Sequence, residues 1–433
     1  MHPSGISRFS GLFLILMAMA ALGGQAFAGY AAVGTCTPPT AVTPAHTFTT
    51  IQAAVTGSAP GTTIQICPGT YPEQVKISKK MTLQGVIDPT APTVNYAAIV
   101  PPVAGMSVNA YDVDDAHAIA AQVLVENTFS ALVSLNNLTI DGTGNQIGGC
   151  APDLVGILFQ NGSGIVNHVA VRNQLLGDVL SGCQAGESIW AQTATGQTSK
   201  VTIENSSVHN YNKNGITGND TGTTLVLIDD VVQGSGLNPV GLAAQNGVQI
   251  AYGATGKMTS NTVIDNLYGD PTSYVSADVL LFDTAENSGV AIVSNTFGNS
   301  QIPLYVGTDT PGTYGDGVTI TGNHIFGSDV FDAIDVCSNG NSVTGNVVSN
   351  SAESAIHLDG SCGGTGNSNT ATGNTILESA CAGILADPGT SGNTTTGDTY
   401  YTMPFTITST TASCTIPLGP ARVKAGNKFS PKR

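Results

Sequence analysis

Basic residues are scarce in this sequence. Thirteen Lys and Arg stand against 29 Asp and Glu in 433 residues, for a formal net charge of −16, and only 10% of residues are charged. A chain of this charge repels nucleic acid and anionic membranes, and it repels polyuronates unless cations mediate. Five of the basic residues lie in the last 12 positions: Arg422, Lys424, Lys428, Lys432 and Arg433.

Long helices and long apolar runs are also missing, except at the amino terminus. There Arg8 precedes the run GLFLILMAMAAL, and AFA at 26–28 is a small-x-small cleavage site. This pattern is typical of a secretory signal peptide at residues 1–28. The run is short for a membrane-spanning helix, although a single membrane anchor is the alternative. We therefore expect a secreted protein, periplasmic or extracellular, without a membrane-spanning segment in the mature chain.

Short strand-like phrases recur through the rest of the chain. Glycine is abundant at 53 residues, and β-branched runs alternate with Asn and Gly turns, which indicates many short strands. Periods of 22 to 34 residues indicate a solenoid, here a parallel β-helix. One recurring point is an asparagine, expected at tight corners: Asn261, Asn295, Asn323, Asn346 and Asn374. A second is an aliphatic residue: Ile157, Ile189, Ile216, Val248, Val279, Leu304, Ile334, Ile356 and Ile384.

The segment at 48–85 resembles the opening of the pectin-lyase-like superfamily. PGTYPEQVKI matches its Gly-Thr-Tyr-x-Glu-x-Val element, and NNLTIDGTGN at 136–145 is similar to a later coil. The resemblance implies an all-β, single-stranded right-handed parallel β-helix with a short N-terminal capping helix near residues 51–55. It implies an N-terminal segment at 29–47, the β-helix at 48–400, and a C-terminal segment with a basic tail at 401–433.

The same resemblance leaves the activity open. The superfamily includes lyases, hydrolases, esterases, epimerases and non-catalytic adhesins. A polygalacturonase-like interpretation finds only IDD at 228–230, and a pectin-methylesterase-like one lacks the later Asp motifs. A pectate-lyase-like interpretation needs a basic residue on the recurring strand, and none of Arg172, Lys200, Lys213 and Lys257 falls there.

Alternation along the recurring strand predicts which side chains point outward. Coils stack about 4.8 Å apart, so outward residues in successive coils form columns. One column runs through Leu158, Trp190, Thr217, Gln249, Leu280, Tyr305, Asp335, His357 and Leu385. The next outward position contributes Asp359 and Asp387 near its C-terminal end. We expect these side chains to be solvated, so that their substitution changes stability little.

These columns predict the candidate site. Asp335, His357 and Asp359 are candidate catalytic residues, because carboxylates on adjacent coils lie roughly 5–9 Å apart, as in glycosidases. Candidate substrate-binding residues are Trp190, Gln249, Tyr305 and Asp387. No metal ligand is assigned, although Asp335, Asp359 and Asp387 could hold Ca²⁺. The Asp-rich stretch YDVDDAH at 111–117 is expected to be a solvated loop.

The expected partner is a polysaccharide or cell-surface glycan, bound by a monomer. A glycoside hydrolase, lyase or epimerase is one possibility. The alternatives are a non-catalytic surface or adhesion module and a structural module, with the His and Asp residues as ordinary surface ion pairs.

Eight cysteines without a C-x-x-C spacing predict disulfides. Cys150 and Cys183 precede equivalent strands in successive coils and should be bonded. Cys36 and Cys67 would tie the N-terminal segment to the first coil. For the remaining four, the predicted pairs are Cys337–Cys362 and Cys381–Cys414.

Overall fold

The computed structural model describes residues 29–36, 46–87, 97–129, 131–177, 182–238, 243–269, 274–309, 314–361 and 364–409. The signal peptide predicted at 1–28, Cys362, Cys414 and the basic tail lie outside the described residues. In the described part, strands dominate and the single helix spans Ile51–Gly57. The predicted right-handed parallel β-helix with a short N-terminal helix is confirmed.

The first parallel sheet has 14 strands, and each strand pairs with the equivalent strand of the next coil. Its strands are Tyr30–Val33, His46–Phe48, Thr63–Ile66, Met81–Gly85, Val133–Asn136, Gly164–Asn167, Ser199–Glu204, Thr223–Ile228, Thr255–Thr259, Ala291–Val293, Thr319–Thr321, Ser342–Thr344, Thr370–Thr372 and Thr394–Thr396.

The second sheet has 12 strands and follows the first after a tight corner. Its strands are Gly69–Pro72, Ala97–Val100, Leu138–Asp141, Ala170–Gln174, Ser207–Tyr211, Val231–Asn238, Thr262–Tyr268, Thr296–Ser300, His324–Ser328, Val347–Ser351, Thr375–Glu378 and Thr399–Thr402.

The third sheet has 13 strands and contains the recurring strand of the sequence. Ala110–Tyr111 pairs antiparallel at its side. The parallel strands are Val75–Ile77, Ala118–Glu126, Asp153–Gln160, Glu187–Gln192, Asn214–Asn219, Asn246–Ala251, Ala277–Phe282, Ile302–Gly307, Ile334–Val336, Ile356–Leu358, Ala382–Ala386 and Phe405–Thr408.

The core is the inward aliphatic column that the sequence predicts. Ile157 pairs with Ile189, and the register continues through every predicted position to Ile384. All of these side chains are fully buried in one continuous cluster. Since a one-residue slip would turn every side chain to the other face, this column fixes what lies on the outer face of the third sheet.

The Gly-Thr-Tyr-x-Glu element caps the N-terminal helix. The Glu73 carboxylate accepts hydrogen bonds from the backbone N–H groups of Ile51 and Gln52, both at 2.8 Å, and Thr50 Oγ1 accepts one from Ala53. These bonds satisfy N–H groups that the first helical turn leaves free, and the carboxylate also favours the positive end of the helix. The helix buries Ile51, Ala54 and Val55 over the first coils.

The aligned asparagines form a hydrogen-bonded ladder at the corner between the first two sheets. The amide of Asn295 donates to Asn323 Oδ1 at 3.0 Å, and Asn323 donates to Asn346 Oδ1 at 3.0 Å. These asparagines do not themselves adopt a left-handed backbone. That conformation belongs to the preceding residue, such as Ser294 (φ 56°) or Gly322 (φ 66°), which turns the chain.

Two predicted disulfides are present, Cys36–Cys67 and Cys150–Cys183. Both close loops between successive coils, where the unfolded chain loses the most freedom through the crosslink. Cys337 and Cys381 are also disulfide-bonded. Their predicted partners, Cys362 and Cys414, lie outside the described residues.

Candidate functional site

The third sheet brings most of the predicted site residues together. Tyr305 lies opposite Asp335, and Asp335 lies opposite His357, in three successive strands. Asp359 and Asp387 directly follow the strands Ile356–Leu358 and Ala382–Ala386. Together with Asp332, the residues Asp335, His357, Asp359 and Asp387 form what we call the carboxylate–histidine cluster.

His357 is held between two carboxylates. Its Nδ1 lies 2.9 Å from Asp332 Oδ2, and its Nε2 lies 3.2 Å from Asp387 Oδ1. Asp332 is itself fixed, because its Oδ1 accepts a hydrogen bond from the Ser354 backbone at 2.8 Å. Both ring nitrogens can donate only when the imidazole is protonated. The geometry therefore favours a protonated imidazole. It links the coil before its own, through Asp332, to the coil after its own, through Asp387.

The charges in the cluster shift the pKa values of its members. Burial alone would lower the pKa of His357, but the charge and hydrogen bond of Asp332, with those of Asp387, raise it well above its usual value. Burial, with the charge of Asp359, raises the pKa of Asp335 well above its usual range. Burial also raises the pKa of Asp359. Asp387 differs: burial is the largest single influence and would raise its pKa, but the hydrogen bond and charge of His357, with further hydrogen bonds, together lower it.

The Asp335 carboxylate has unusually little support. Asp335 is 2% exposed, and within the described residues no N–H or O–H group donates to it. Cys337 Sγ lies 3.6 Å from Asp335 Oδ1, but it is a disulfide sulfur and carries no proton to donate. Asp359 is also close, at 3.8 Å from the same sulfur. A buried carboxylate without donors is costly unless it is protonated or binds a cation.

The cluster has the donor set of a cation site. Ligand atoms lie within 4.8 Å of one another in two trios, Asp332–Asp335–His357 and His357–Asp359–Asp387. A third trio includes Cys337, but a disulfide sulfur is not a thiolate ligand. These buried groups could hold a metal ion.

The outer face of the third sheet is not the solvated surface that the sequence predicts. Asp335, Asp359 and His357 are 2%, 3% and 7% exposed. Trp190 is 1% exposed and packs with Ala110, Leu124 and other apolar residues of the early coils. The expectation of solvated side chains is wrong. At the early coils, Ala110 from the segment before the strand Ala118–Glu126 packs in the cluster of Trp190. At the later coils, Tyr305 and Cys337 belong to a second buried cluster, against which Phe331 packs.

Gln249 and Trp190 therefore stand apart from the cluster. Gln249 is fully buried; its Oε1 accepts from the Asn214 amide at 3.2 Å, and its Nε2 donates to Asn219 Oδ1 at 2.9 Å. Neither Gln249 nor the Trp190 ring is open to solvent in this structure. Of the predicted substrate-binding residues, Tyr305 and Asp387 lie next to the candidate catalytic trio.

An open cleft lies at the carboxyl ends of the middle strands of the third sheet. It has a volume of about 480 Å³ and is lined by Asp114, Thr193, Thr195, Gly196, Asp220, Thr221, Tyr252, Asp283 and Tyr314. We call it the acidic cleft. Thr193, Asp220, Tyr252 and Asp283 each lie just after one of four successive strands, so the coil repeat itself builds this wall.

The YDVDDAH stretch supplies part of this cleft. Asp112 is buried, and its Oδ1 accepts hydrogen bonds from the backbone of Asp114 (2.8 Å) and Asp115 (3.3 Å). This turn brings Asp114 beside Asp220 in the lining of the cleft. Burial, with the charge of Asp114, raises the pKa of Asp220 to about 7. The expectation of a plain solvated loop is wrong.

Tyr305 connects the two sites. It is 2% exposed, and burial, with the charges of Asp335, Asp359, Asp309 and Asp283, raises its pKa well above its usual value. Asp283 lines the cleft and accepts hydrogen bonds from Thr308 Oγ1 (2.6 Å) and the Asp309 backbone (3.0 Å). The acidic cleft and the cluster are thus neighbours along one face.

Sequence reasoning missed Asp332 and the cleft residues for one reason. It followed strand positions, whereas these residues lie in turns whose lengths vary from coil to coil. The available signals were the acidic residue two positions before the strand Ile334–Val336, and the polar residue that follows several neighbouring strands.

The stacked parallel sheets and the capped first coil define a pectin-lyase-like parallel β-helix fold. In fold the chain is similar to the A-module of mannuronan C-5 epimerase AlgE4 from Azotobacter vinelandii, with a TM-score of 0.52 and 14% identity over 83% of this chain and 92% of that one.

Two other solved structures are similar to the chain with lower TM-scores. DFA-IIIase from Arthrobacter chlorophenolicus, without its lid, has a TM-score of 0.45 and 14% identity, covering 82% of this chain and 92% of its own. The surface adhesin PfbA of Streptococcus pneumoniae has a TM-score of 0.44 and 13% identity, covering 79% and 85%. No family model matches the sequence, and no curated protein matches it. Among the described residues, no helix is both long and apolar enough to cross a bilayer.

Proposed function

We propose that this is an exported β-helix protein that binds a polysaccharide or cell-surface glycan, as a monomer, in the acidic cleft. The observation that carries the proposal is the cleft itself: an open cavity that combines two tyrosine rings with carboxylates and threonine hydroxyls. Tyrosine rings pack on the apolar faces of sugars, and carboxylates accept hydrogen bonds from hydroxyl groups. The apolar amino terminus, together with two disulfides, supports export.

A second candidate function is catalysis at the neighbouring cluster. Asp335 and Asp359 have raised pKa values, the property that a carboxylic general acid needs at neutral pH. With His357 they would serve a hydrolase, lyase or epimerase-like reaction on a sugar that extends from the cleft past Tyr305. Because these groups are buried, catalysis would require the structure around them to open for substrate. A non-catalytic glycan-binding module is therefore the main alternative.

The cluster is also our candidate cation site. Asp335, Asp359 and Asp387 offer the carboxylate oxygens that Ca²⁺ prefers, and the unsupported Asp335 carboxylate fits such a role. A bound cation would offset the excess of four carboxylates over one imidazolium. The assignment of a cation site is tested by thermal unfolding in Ca²⁺ and in chelator. A rise in Tm with Ca²⁺ that Asp335→Asn abolishes would support the assignment.

The function is tested with a panel of polysaccharides, each scored for binding and for release of reducing-end or unsaturated products. Tyr252→Ala should weaken binding at least tenfold, whereas Glu378→Gln, an exposed position in the second sheet, should not. Product release that Asp335→Asn removes, with binding retained, would support catalysis at the cluster. Binding without product favours the adhesion alternative, and binding that Tyr252→Ala leaves intact would contradict the cleft.

A further inference from the structure

The acidic cleft carries charge of one sign only. Asp114, Asp220 and Asp283 line it, and none of its lining residues is basic. Three basic residues of the described chain are engaged with other groups: Arg172 pairs with Asp141 at 2.8 Å, Lys76 with Glu126 at 2.9 Å, and Lys213 donates to the Ala244 carbonyl at 2.9 Å. A ligand carboxylate entering this cleft would meet like charges without a compensating cation from these residues.

Two of these carboxyl groups, those of Asp114 and Asp220, lie next to each other in the cleft. Asp220 lies in the left-handed backbone region (φ 77°) directly after its strand. Burial, with the charge of Asp114, raises the pKa of Asp220 to about 7, so in mildly acidic buffer Asp220 carries a proton that it can donate. The pair can therefore both accept a hydrogen bond and donate one.

A buried amide at the same end of the sheet lacks an acceptor. Gln192 is fully buried and immediately precedes Thr193 of the cleft. Its Oε1 accepts a hydrogen bond from the backbone of Val113, the neighbour of Asp114, at 3.2 Å. Its Nε2 has no hydrogen-bond partner in the described chain. Because this donor is buried and Gln192 does not line the cleft, it bears on the packing behind Thr193 rather than on the ligand.

From this arrangement, and resting on the proposed function, we infer that the cleft selects glycans that carry hydroxyl or ammonium groups and rejects uronates. Amino sugars gain the charge of Asp283 and of the Asp114–Asp220 pair, with the ammonium group as donor to carboxylate oxygens. Neutral sugars keep the hydroxyl and ring contacts. Uronates lose affinity because their carboxylates are repelled by the carboxylates of the cleft. The repulsion is stronger in a partly enclosed cleft, because charges are screened less there than in bulk water.

Oligosaccharides of glucosamine, glucose and galacturonic acid, matched in length, test the inference by titration in mildly acidic buffer. In chelator, we expect the glucosamine oligomer to bind best. The affinity for the galacturonate oligomer should be roughly tenfold or more below that for the glucose oligomer. Added salt should weaken glucosamine binding more than glucose binding.

Asp114→Asn combined with Asp220→Asn removes the charge with little change in shape. Asparagine also tolerates the left-handed backbone at position 220. This variant should lose most of the preference for glucosamine over glucose and bind galacturonate more tightly, while Glu378→Gln leaves both preferences unchanged.

The outcomes separate the two proposals. The inference is overturned if galacturonate binds more tightly than the other two oligomers in chelator, or if its binding in the cleft requires Ca²⁺. Either result leaves the proposed glycan binding intact. An unchanged preference in the double variant also overturns it. If none of the three oligomers binds, both the inference and the proposed glycan function fail.

Discussion

Two columns of polar side chains run along this β-helix, and the same stacking geometry has opposite consequences in them. The asparagine ladder repeats one residue type from Asn261 to Asn374. The outer column of the third sheet changes at every coil, from Gln249 through Leu280 and Tyr305 to Asp335 and His357.

An amide satisfies its neighbours because it both donates and accepts. Asn323 accepts from the backbone and amide of Asn295, at 2.9 and 3.0 Å, and donates to Asn346 Oδ1 and to the Ile292 carbonyl. The amides of the ladder, from Asn261 to Asn374, are therefore satisfied by other groups of the described chain. The ladder ends where a donor is no longer needed, at Asp398, whose Oδ1 accepts from Asn374 at 2.9 Å.

Stacked carboxylates cannot satisfy one another in this way. Asp332, Asp335, Asp359 and Asp387 gather around one imidazole, and Asp335 receives no N–H or O–H donor from the described chain. Such a group requires protons or a cation from solution. In this protein, the polar residues that repeat from coil to coil stabilise the fold. The polar residues that break the repeat depend on protons or a cation from solution.

The largest expected effect is at His357. We expect His357→Ala to lower the free energy of unfolding by about 4 kcal/mol, because it removes the counter-charge of the buried Asp332 and of the partly buried Asp387. This revises the expectation, made for a solvated strand, that substitution here changes stability little. Urea unfolding measures the loss. His324→Ala, at an exposed position of the second sheet, is the matched control and should cost under about 0.5 kcal/mol.

The pH profile sharpens this prediction. The pKa values of His357, Asp335 and Asp359 are raised in the folded state. Their contribution to stability is therefore complete below their unfolded pKa values, about 4 for the carboxyls and about 6.5 for the histidine, and it decreases as the pH rises through the folded values. Asp335→Asn should flatten this decrease. A wild-type stability that rises from mildly acidic to alkaline pH would contradict the charge assignment.

The second effect is at the ladder. Asn323→Ala should destabilise the fold by about 3 kcal/mol, since it leaves the backbone and amide donors of Asn295 and the Ile292 carbonyl buried without their partners. Chemical unfolding measures the loss, and its size should not depend on pH. Asn136→Ala, at a strand end outside the ladder, should be close to neutral. Equal losses for the two variants would remove the ladder from the account.

The sequence alone predicts the fold because the fold rests on repetition. The inward column from Ile157 to Ile384, the register that sets Asp335 against His357, and the Cys150–Cys183 disulfide all follow from equivalent positions in successive coils. Burial of the outer face does not follow, because it depends on where an insertion folds back. Ala110 covers Trp190 from a segment that has no repeat and no strand signal in the sequence.

The acidic cleft could not be predicted from the sequence, for a related reason. Asp114 and Asp220 are more than a hundred residues apart in the chain, and Asp114 belongs to an insertion whose path the period does not constrain. The acidic stretch was visible, but its partner was not. Only the position of the strand ends shows that four successive turns supply one wall of a cavity.

The smallest expected effect is at the end of the ladder. Asp398 accepts hydrogen bonds from the backbone of Asn374 at 2.8 Å and from its amide at 2.9 Å, both through Oδ1. Asp398→Asn keeps that oxygen and replaces Oδ2, which is buried without a hydrogen-bond partner, by an amide nitrogen, so that one unsatisfied polar atom is exchanged for another. We expect a change within about 0.5 kcal/mol in chemical unfolding, whereas Asp398→Ala, which removes the acceptor, should cost about 1 kcal/mol. If Asp398→Asn destabilised as much as Asp398→Ala, the carboxylate charge rather than the acceptor would terminate the ladder, and the two polar columns would differ less than their geometry indicates.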